Sequence, residues 1–149
     1  MKNNRFRSIG PALILIPIGG LAVLALSFLL YGLVYNLLES IFFPNDPLSF
    51  PAGLVRNVFA VVLILLYLII YRTKVPDLLK AILLIGPVAT LIVASILRFY
   101  DKPAVFIPLM LAIPIVCAVL LYHARKPWTY LYALAIATLG AILYAWPRI

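Results

Sequence analysis

Residues 50–74, FPAGLVRNVFAVVLILLYLIIYRTK, form a long apolar run bounded by charge. Between Arg56 and Arg72 the run carries no charged side chain, and every residue except Asn57 is apolar or aromatic. A helix of about 20 apolar residues crosses the roughly 30 Å hydrocarbon layer of a bilayer. The run therefore predicts a transmembrane helix that ends at Arg72 and Lys74.

The rest of the chain repeats this pattern. Hydrophobic residues make up 66% of the sequence and charged residues 11%, whereas soluble domains carry about 25% charged residues. The apolar runs do not alternate with polar residues, which excludes a transmembrane β-barrel. We expect an all-α, polytopic integral membrane protein, a bundle of five transmembrane helices that forms a single domain over residues 1–149. The predicted spans are residues 9–38, 54–71, 78–97, 104–122 and 128–146.

The first run is longer than one straight crossing requires. Its prolines, Pro11 and Pro17, and the pair Gly19–Gly20 predict a kink, or else a segment over residues 9–17 that lies in the interface. The basic start followed by an apolar run is also found in secretory signals, but a cleavable apolar region has only about 7–15 residues. We therefore expect an uncleaved first membrane helix.

Basic residues set the expected orientation, because cytoplasmic loops of membrane proteins are enriched in Lys and Arg. In a five-span topology most of the 12 basic residues fall on the side of the N-terminus, and most of the 4 acids fall on the other side. This predicts a protein of the plasma (inner) membrane with a cytoplasmic N-terminus and an outside C-terminus. The net charge of +8 is then explained by basic residues that mark cytoplasmic loops and contact anionic lipid heads. No nucleic acid is expected as a partner. The inner basic residues are Lys2, Arg5, Arg7, Arg72, Lys74, Lys80, Arg125 and Lys126.

Arg56 is either a functional group in the membrane or a marker of its border. It lies about 6–8 Å along the predicted helix from Pro51, where a long side chain can reach the interface. Glu39 or Asp46 of the preceding loop could pair with it. Arg98 ends the third run in the same leaflet, so Arg56 and Arg98 together are a candidate outer-leaflet contact for an anion or a lipid head.

The sequence contains no arrangement typical of an enzyme. No paired carboxylate lies within a span, and the common hydrolase and metalloprotease motifs are missing from the sequence. His123 and Cys117 are the single residues of their types, so we interpret them as an interfacial polar residue and a small buried hydrophobe. We expect no catalytic residue, no metal and no cofactor; a lipid enzyme using Arg56, Arg98 and Asp101 is a less favoured alternative.

Small residues recur on the fifth run at every fourth position, with Gly140 beside them. In lipid such a ridge allows close helix packing, so it indicates either packing within the monomer or a docking face for another subunit. A weaker version occurs on the third run. The fifth-run ridge is Ala133, Ala137, Ala141 and Ala145, and the third-run residues are Gly86, Thr90 and Ala94.

The loop over residues 39–53 carries Phe42, Phe43 and Phe50 among prolines and has no basic residue. An exposed aromatic patch usually marks an interaction surface. We therefore interpret this loop as a contact with the outer headgroup layer or with a partner.

Two functions from different classes fit these features. The first is a non-catalytic accessory or structural subunit that packs against a larger membrane protein complex, with the bilayer and other membrane subunits as partners. The alternative is a small homo-oligomeric transporter or channel for a small, anionic solute, with Arg56 and Arg98 at its outer mouth. Pro87, Pro108 and Pro114 within the third and fourth runs favour the alternative, because broken helices can line a substrate site.

Overall fold

The computed structural model describes residues 4–44, 49–99 and 101–145. Over these ranges the chain forms helices and short connections, and no strand. The prediction of an all-α protein with five helices is confirmed for this part of the chain. The helices are α1 (Asn4–Phe42), α2 (Ala52–Arg72), α3 (Asp77–Arg98), α4 (Pro103–His123) and α5 (Trp128–Ala145).

The helix ends fall close to the charged and proline residues that bound the apolar runs. Helix α3 begins at the acidic Asp77 and ends at the basic Arg98, and both charges are favourable with respect to the helix dipole. Helix α4 begins at Pro103, where the missing backbone N–H of proline removes no intrahelical hydrogen bond. The ends were predictable because apolar composition changes to polar at these residues.

Helix α1 has 39 residues and continues without interruption through Pro11, Pro17 and Gly19–Gly20. At 1.5 Å per residue its length is about 58 Å, which exceeds the hydrocarbon thickness of a bilayer. The predicted first span therefore lies inside a longer helix, and the segment of residues 9–17 belongs to that helix.

Helix α3 is the centre of the bundle and packs against each of the other four helices. In its most apolar segment 67% of the residues are buried, compared with 17% in α1 and 11% in α2. Further contacts join α2 to α1, α1 to α5 and α5 to α4. The helices around α3 thus form an open ring, and the described parts of α2 and α4 leave a gap between them.

Three glycines bring α1 and α3 close together. A Cβ atom added to Gly19 would lie 2.8 Å from Ile82 Cγ2, and one added to Gly20 would collide with Ile85 Cδ1. On the opposite side of the contact, a Cβ on Gly86 would lie 3.0 Å from Val23 Cγ1 and 3.3 Å from Ser27 Oγ. The pair Gly19–Gly20, which the sequence suggested as a kink, therefore lies at the helix crossing.

By length and composition, three helices can cross a membrane: Gly10–Phe42, Ala52–Arg72 and Asp77–Arg98. The described apolar stretches of the other two, Ile107–His123 and Trp128–Tyr144, are shorter. Many large hydrophobic side chains on the outside of the bundle are exposed, among them Leu21 and Leu33 of α1 at 66% each. Such a surface is compatible with a membrane protein.

Candidate functional site

A cavity of about 160 Å³ lies between α1, α2, α3 and α5. Its lining comes from the C-terminal halves of α1, α3 and α5 and from the first turns of α2, and it is mainly apolar. The small residues Ala89, Ala94 and Gly140 leave this space open because they have little or no side chain. Two features distinguish this cavity from the bundle surface. Four helices surround it, and among its described lining residues one, Arg56, is cationic.

Arg56 is the fifth residue of α2 and lies about 6 Å along the helix axis from its first residue. Its side chain is partly buried, and its Nε atom is fully buried and has no hydrogen-bond partner in the part of the chain that the structure describes. Arginine stays protonated in proteins and has no acceptor atoms. A buried guanidinium N–H without an acceptor is costly, at about 1–3 kcal/mol or more for a charged group.

Four hydroxyl groups line the cavity, those of Ser27, Tyr31, Thr90 and Tyr144, and two of them already donate a hydrogen bond to the backbone. Ser27 Oγ donates to the Val23 carbonyl at 2.8 Å, and Thr90 Oγ1 donates to the Gly86 carbonyl at 2.8 Å. Both hydroxyl oxygens are left with lone pairs only, because a hydroxyl has one proton to donate. Neither can donate to an anion without losing its bond to the helix backbone. Among the described residues that line the cavity, Arg56 is the cationic one.

Aromatic rings position Arg56 from the side of α1. Tyr31 lines the cavity and packs edge to face on Phe59, with ring centroids 5.4 Å apart. Phe59 lies one helical turn after Arg56 on α2 and also lines the cavity. This contact between α1 and α2 holds the first turns of α2, and with them Arg56, against the bundle.

Arg98 takes a different position from Arg56. Its side chain is exposed, and its guanidinium carbon lies 5.7 Å from the centroid of the Phe99 ring. Neither Arg98 nor Glu39 is among the residues that line the cavity. The second candidate partner of Arg56, Asp46, lies outside the described residues. The structure therefore assigns Arg56, and not Arg98, to the cavity.

The aromatic residues of the loop are divided between the surface and the chain itself. Phe42 is 66% exposed, whereas Phe50 is only 8% exposed. Phe50 packs edge to face against Tyr35 of α1 at 4.8 Å and against Phe43 at 5.6 Å between ring centroids. Phe50 therefore anchors the start of α2 on α1, and of the three phenylalanines Phe42 is the one that remains strongly exposed.

The alanine ridge of α5 faces the core of the chain. Ala133 and Ala137 are fully buried, Ala141 is 2% exposed, and all three belong to the buried core shared with α3. The side chain of Ala145 lies outside the described residues. Of the two interpretations of the ridge, packing within the monomer applies to these three alanines.

A second concave surface, which we call the α2–α4 groove, lies at the gap in the ring of helices. Its volume is about 400 Å³, and its lining comes from α2, α3 and α4. Leu68 and Leu120 form its exposed flanks, and Pro87 of α3 lies at its base. Tyr67 also lines the groove, and its buried hydroxyl has no hydrogen-bond partner among the described residues.

A polar cluster at the opposite end of the bundle was not predicted from the sequence. Lys80 is 8% exposed, and its Nζ donates to the backbone carbonyls of Tyr71 at 3.0 Å and Thr73 at 2.6 Å. It thereby satisfies acceptors at the C-terminal end of α2. The signal was present in the sequence, because Lys80 follows Arg72, the end of an apolar run, by only eight residues.

Two further contacts tie this end together. The Tyr130 hydroxyl donates to Asp77 Oδ1 at 3.1 Å, and Lys126 Nζ lies 4.4 Å from the centroid of the Tyr71 ring. The first contact joins the first turns of α5 and α3, and the second joins the α4–α5 connection to the last turn of α2. Lys80, Asp77 and Lys126 are therefore structural here, although the sequence suggested only that the two lysines mark one side of a membrane.

His123 and Cys117 lie apart from the cavity. His123 is exposed at the end of α4, beside the Tyr122 ring. Cys117 is half-buried and lines the α2–α4 groove. Within the described ranges, no three residues among histidines, cysteines and acids come together as metal ligands.

The fold defines a small bundle of apolar helices, which is typical of a membrane protein. Comparisons with protein-family models, with curated proteins and with solved structures found no match to this chain.

Proposed function

We propose that all five helices cross the bilayer, with the N-terminus in the cytoplasm and the C-terminus outside, in a plasma (inner) membrane. Supporting this topology, short connections join successive apolar helices, and three candidate spans are long enough by themselves. The proposed cytoplasmic side carries Arg72 at the end of α2, Lys74 in the α2–α3 connection and Lys126 in the α4–α5 connection, as expected for that side.

Within that membrane, the chain acts as a non-catalytic accessory subunit that packs against a larger membrane protein complex. The observation that carries this proposal is the α2–α4 groove. It interrupts the ring of helices around α3, and one transmembrane helix of a partner subunit laid in the gap would complete the ring. Close packing drives helix association in lipid, and this groove offers two walls and a base of apolar side chains.

Extraction in a mild detergent followed by native mass measurement tests the accessory role. We expect a heteromeric assembly of fixed stoichiometry. A photo-crosslinking residue at Leu68, which flanks the groove and is 50% exposed, should react with the other subunit. The matched control is Leu66, 49% exposed on another face of α2, which should not react. A pure homo-oligomer, or crosslinks to lipid alone, would contradict the proposal.

The alternative function, a small homo-oligomeric transporter or channel for an anionic solute, draws on Arg56 in the cavity. It requires that Arg56→Ala abolish anion flux into vesicles that contain the purified chain. An unchanged flux in this variant excludes the alternative.

A further inference from the structure

The cavity around Arg56 has the chemistry of a ligand site of its own. It combines a mainly apolar lining with one guanidinium, whose buried Nε–H has no acceptor among the described residues. An apolar cavity of about 150 Å³ is large enough to bind a molecule such as benzene, and this cavity measures about 160 Å³. The space therefore admits a small acidic group together with the first part of a hydrocarbon chain.

The charges around the cavity specify the sign of the ligand. Among the described residues that line it, Arg56 is the cation and none is acidic. The hydroxyls of Ser27 and Thr90 already donate hydrogen bonds to backbone carbonyls. A planar guanidinium is suited to bind a carboxylate or a phosphate through paired hydrogen bonds. The complementary ligand carries one acidic group.

The lining specifies the rest of the ligand. Leu24, Val93 and Leu97 surround the space with aliphatic groups, which offer nothing to a hydrated ion. Burial of a hydrocarbon chain among them is favourable, because it removes apolar surface from water or from the headgroup layer. A free inorganic anion would exchange its hydration for a single cation and gain little else.

The cavity also reaches the outside of the bundle on the side of α1 and α5. Phe28 and Tyr144 both line it, and they are 51% and 41% exposed. Their ring centroids lie 5.7 Å apart. In the proposed topology these rings face the outer leaflet. Arg56 lies about one helical turn from the start of α2, near the level of lipid headgroups.

We propose that the Arg56 cavity binds the acidic head of one anionic amphiphile, a carboxylate or phosphate on an acyl chain, taken from the outer leaflet between α1 and α5. The acidic group pairs with Arg56. The acyl chain lies along the apolar wall and leaves the cavity beside Phe28 and Tyr144. Binding of the amphiphile depends on the cavity and its charge, so it holds whether the protein assists a larger complex or acts alone. The assignment to the outer leaflet rests on the proposed topology.

The test uses the purified full chain in phosphatidylcholine nanodiscs that contain either oleate or phosphatidylglycerol as the anionic probe. Native mass measurement after release from the disc reports the number of retained probe molecules. Wild-type protein should retain one, and Arg56→Gln should reduce the retained fraction by at least about tenfold, as expected for loss of a buried charge pair. Arg56→Lys keeps the charge and should retain more than Arg56→Gln. The two probes distinguish a fatty acid from a phospholipid as the source of the acidic group.

Arg98→Gln is the matched control, because it removes a nearby exposed charge that does not line the cavity. It should leave retention unchanged. Gly140→Leu supplies a second variant: an added Cβ at Gly140 lies 3.9 Å from Leu24 Cδ1, so the backbone has room while the longer side chain fills the cavity. It should abolish retention without loss of Arg56. Helix content and monodispersity of each variant establish that it is folded.

Three results would overturn the proposal. The first is equal retention by Arg56→Gln and wild type, or an equal loss in Arg56→Gln and Arg98→Gln. The second is equal retention of oleyl alcohol, which has the same chain without the charge. The third is full competition by acetate or inorganic phosphate, which would show that the cavity binds the anion without its chain.

Discussion

The crossing of α1 and α3 at Gly20 gives the sharpest prediction about stability. In Gly20→Leu the new Cβ would collide with Ile85 Cδ1, and Ile85 is fully buried, so its side chain cannot move away without displacing other core residues. The matched control is Gly32→Leu on the same helix, because a Cβ at Gly32 meets nothing within 4 Å. Both substitutions gain the same helix propensity, so their difference reports the crossing alone.

Overpacking of a core costs about 1–3 kcal/mol. A difference of about 2 kcal/mol between the two variants corresponds to about a 30-fold change in the unfolding equilibrium constant. Titration with sodium dodecyl sulfate in mixed micelles, followed by near-ultraviolet circular dichroism, measures this equilibrium. Gly20→Leu should unfold at a lower detergent fraction than wild type, and Gly32→Leu at an equal or higher one. Equal midpoints for the two variants would refute the close crossing.

Two further substitutions are tested by the same titration. Ala137→Leu, in the buried ridge of α5, should lower the free energy of unfolding of the monomer by about 1–3 kcal/mol. Ala135→Leu, on the exposed face of the same helix, should change it little. Equal effects of the two substitutions would contradict the inward-facing ridge. Lys80→Met should cost about 1–3 kcal/mol because two backbone acceptors near the end of α2 lose their donor. Lys74→Met removes an exposed charge and should be nearly neutral, so a loss as large in Lys74→Met would contradict the role of Lys80.

The helices of this chain were predictable because their ends carry a chemical signal. Arg72, Asp77 and Arg98 interrupt apolar runs, and the observed helices begin or end at these residues. Composition alone therefore located each helix to within a few residues.

The packing of the helices was not predictable in the same way. In a soluble helix polar residues mark the outer face, but here Leu21 is 66% exposed while Ile16 is fully buried. Since both faces are apolar, the pattern of hydrophobicity does not point to the core. Small residues carried what information there was: the α5 alanines indicated close packing, but the sequence did not say whether the neighbour was α3 or another chain. The pair Gly19–Gly20 likewise gave no indication of its neighbour α3, and the sequence suggested only a kink at this position.

The candidate site was predicted in part. Arg56 was noted because a charge within an apolar run is unusual. The sequence did not separate Arg56 from Arg98, because Arg56 lies near the start of α2 and Arg98 at the end of α3, on the same side of the predicted membrane. Only the three-dimensional packing shows which one lines a cavity. Ser27, Thr90 and Gly140 give no functional signal by themselves, and they meet at the cavity because α1, α3 and α5 pack together.

The five-span topology is the central claim, and cysteine labelling tests it most directly. Single cysteines are placed at Pro44, Thr73, Asp101 and Ala124, one exposed position in each connection or at the adjoining helix end, in a chain that carries Cys117→Ser. In intact cells a membrane-impermeant maleimide should label the first and third positions, and should label the second and fourth only after the membrane is opened. Labelling of positions 73 and 101 from the same side would mean that α3 does not cross the membrane, and the proposed topology would be wrong.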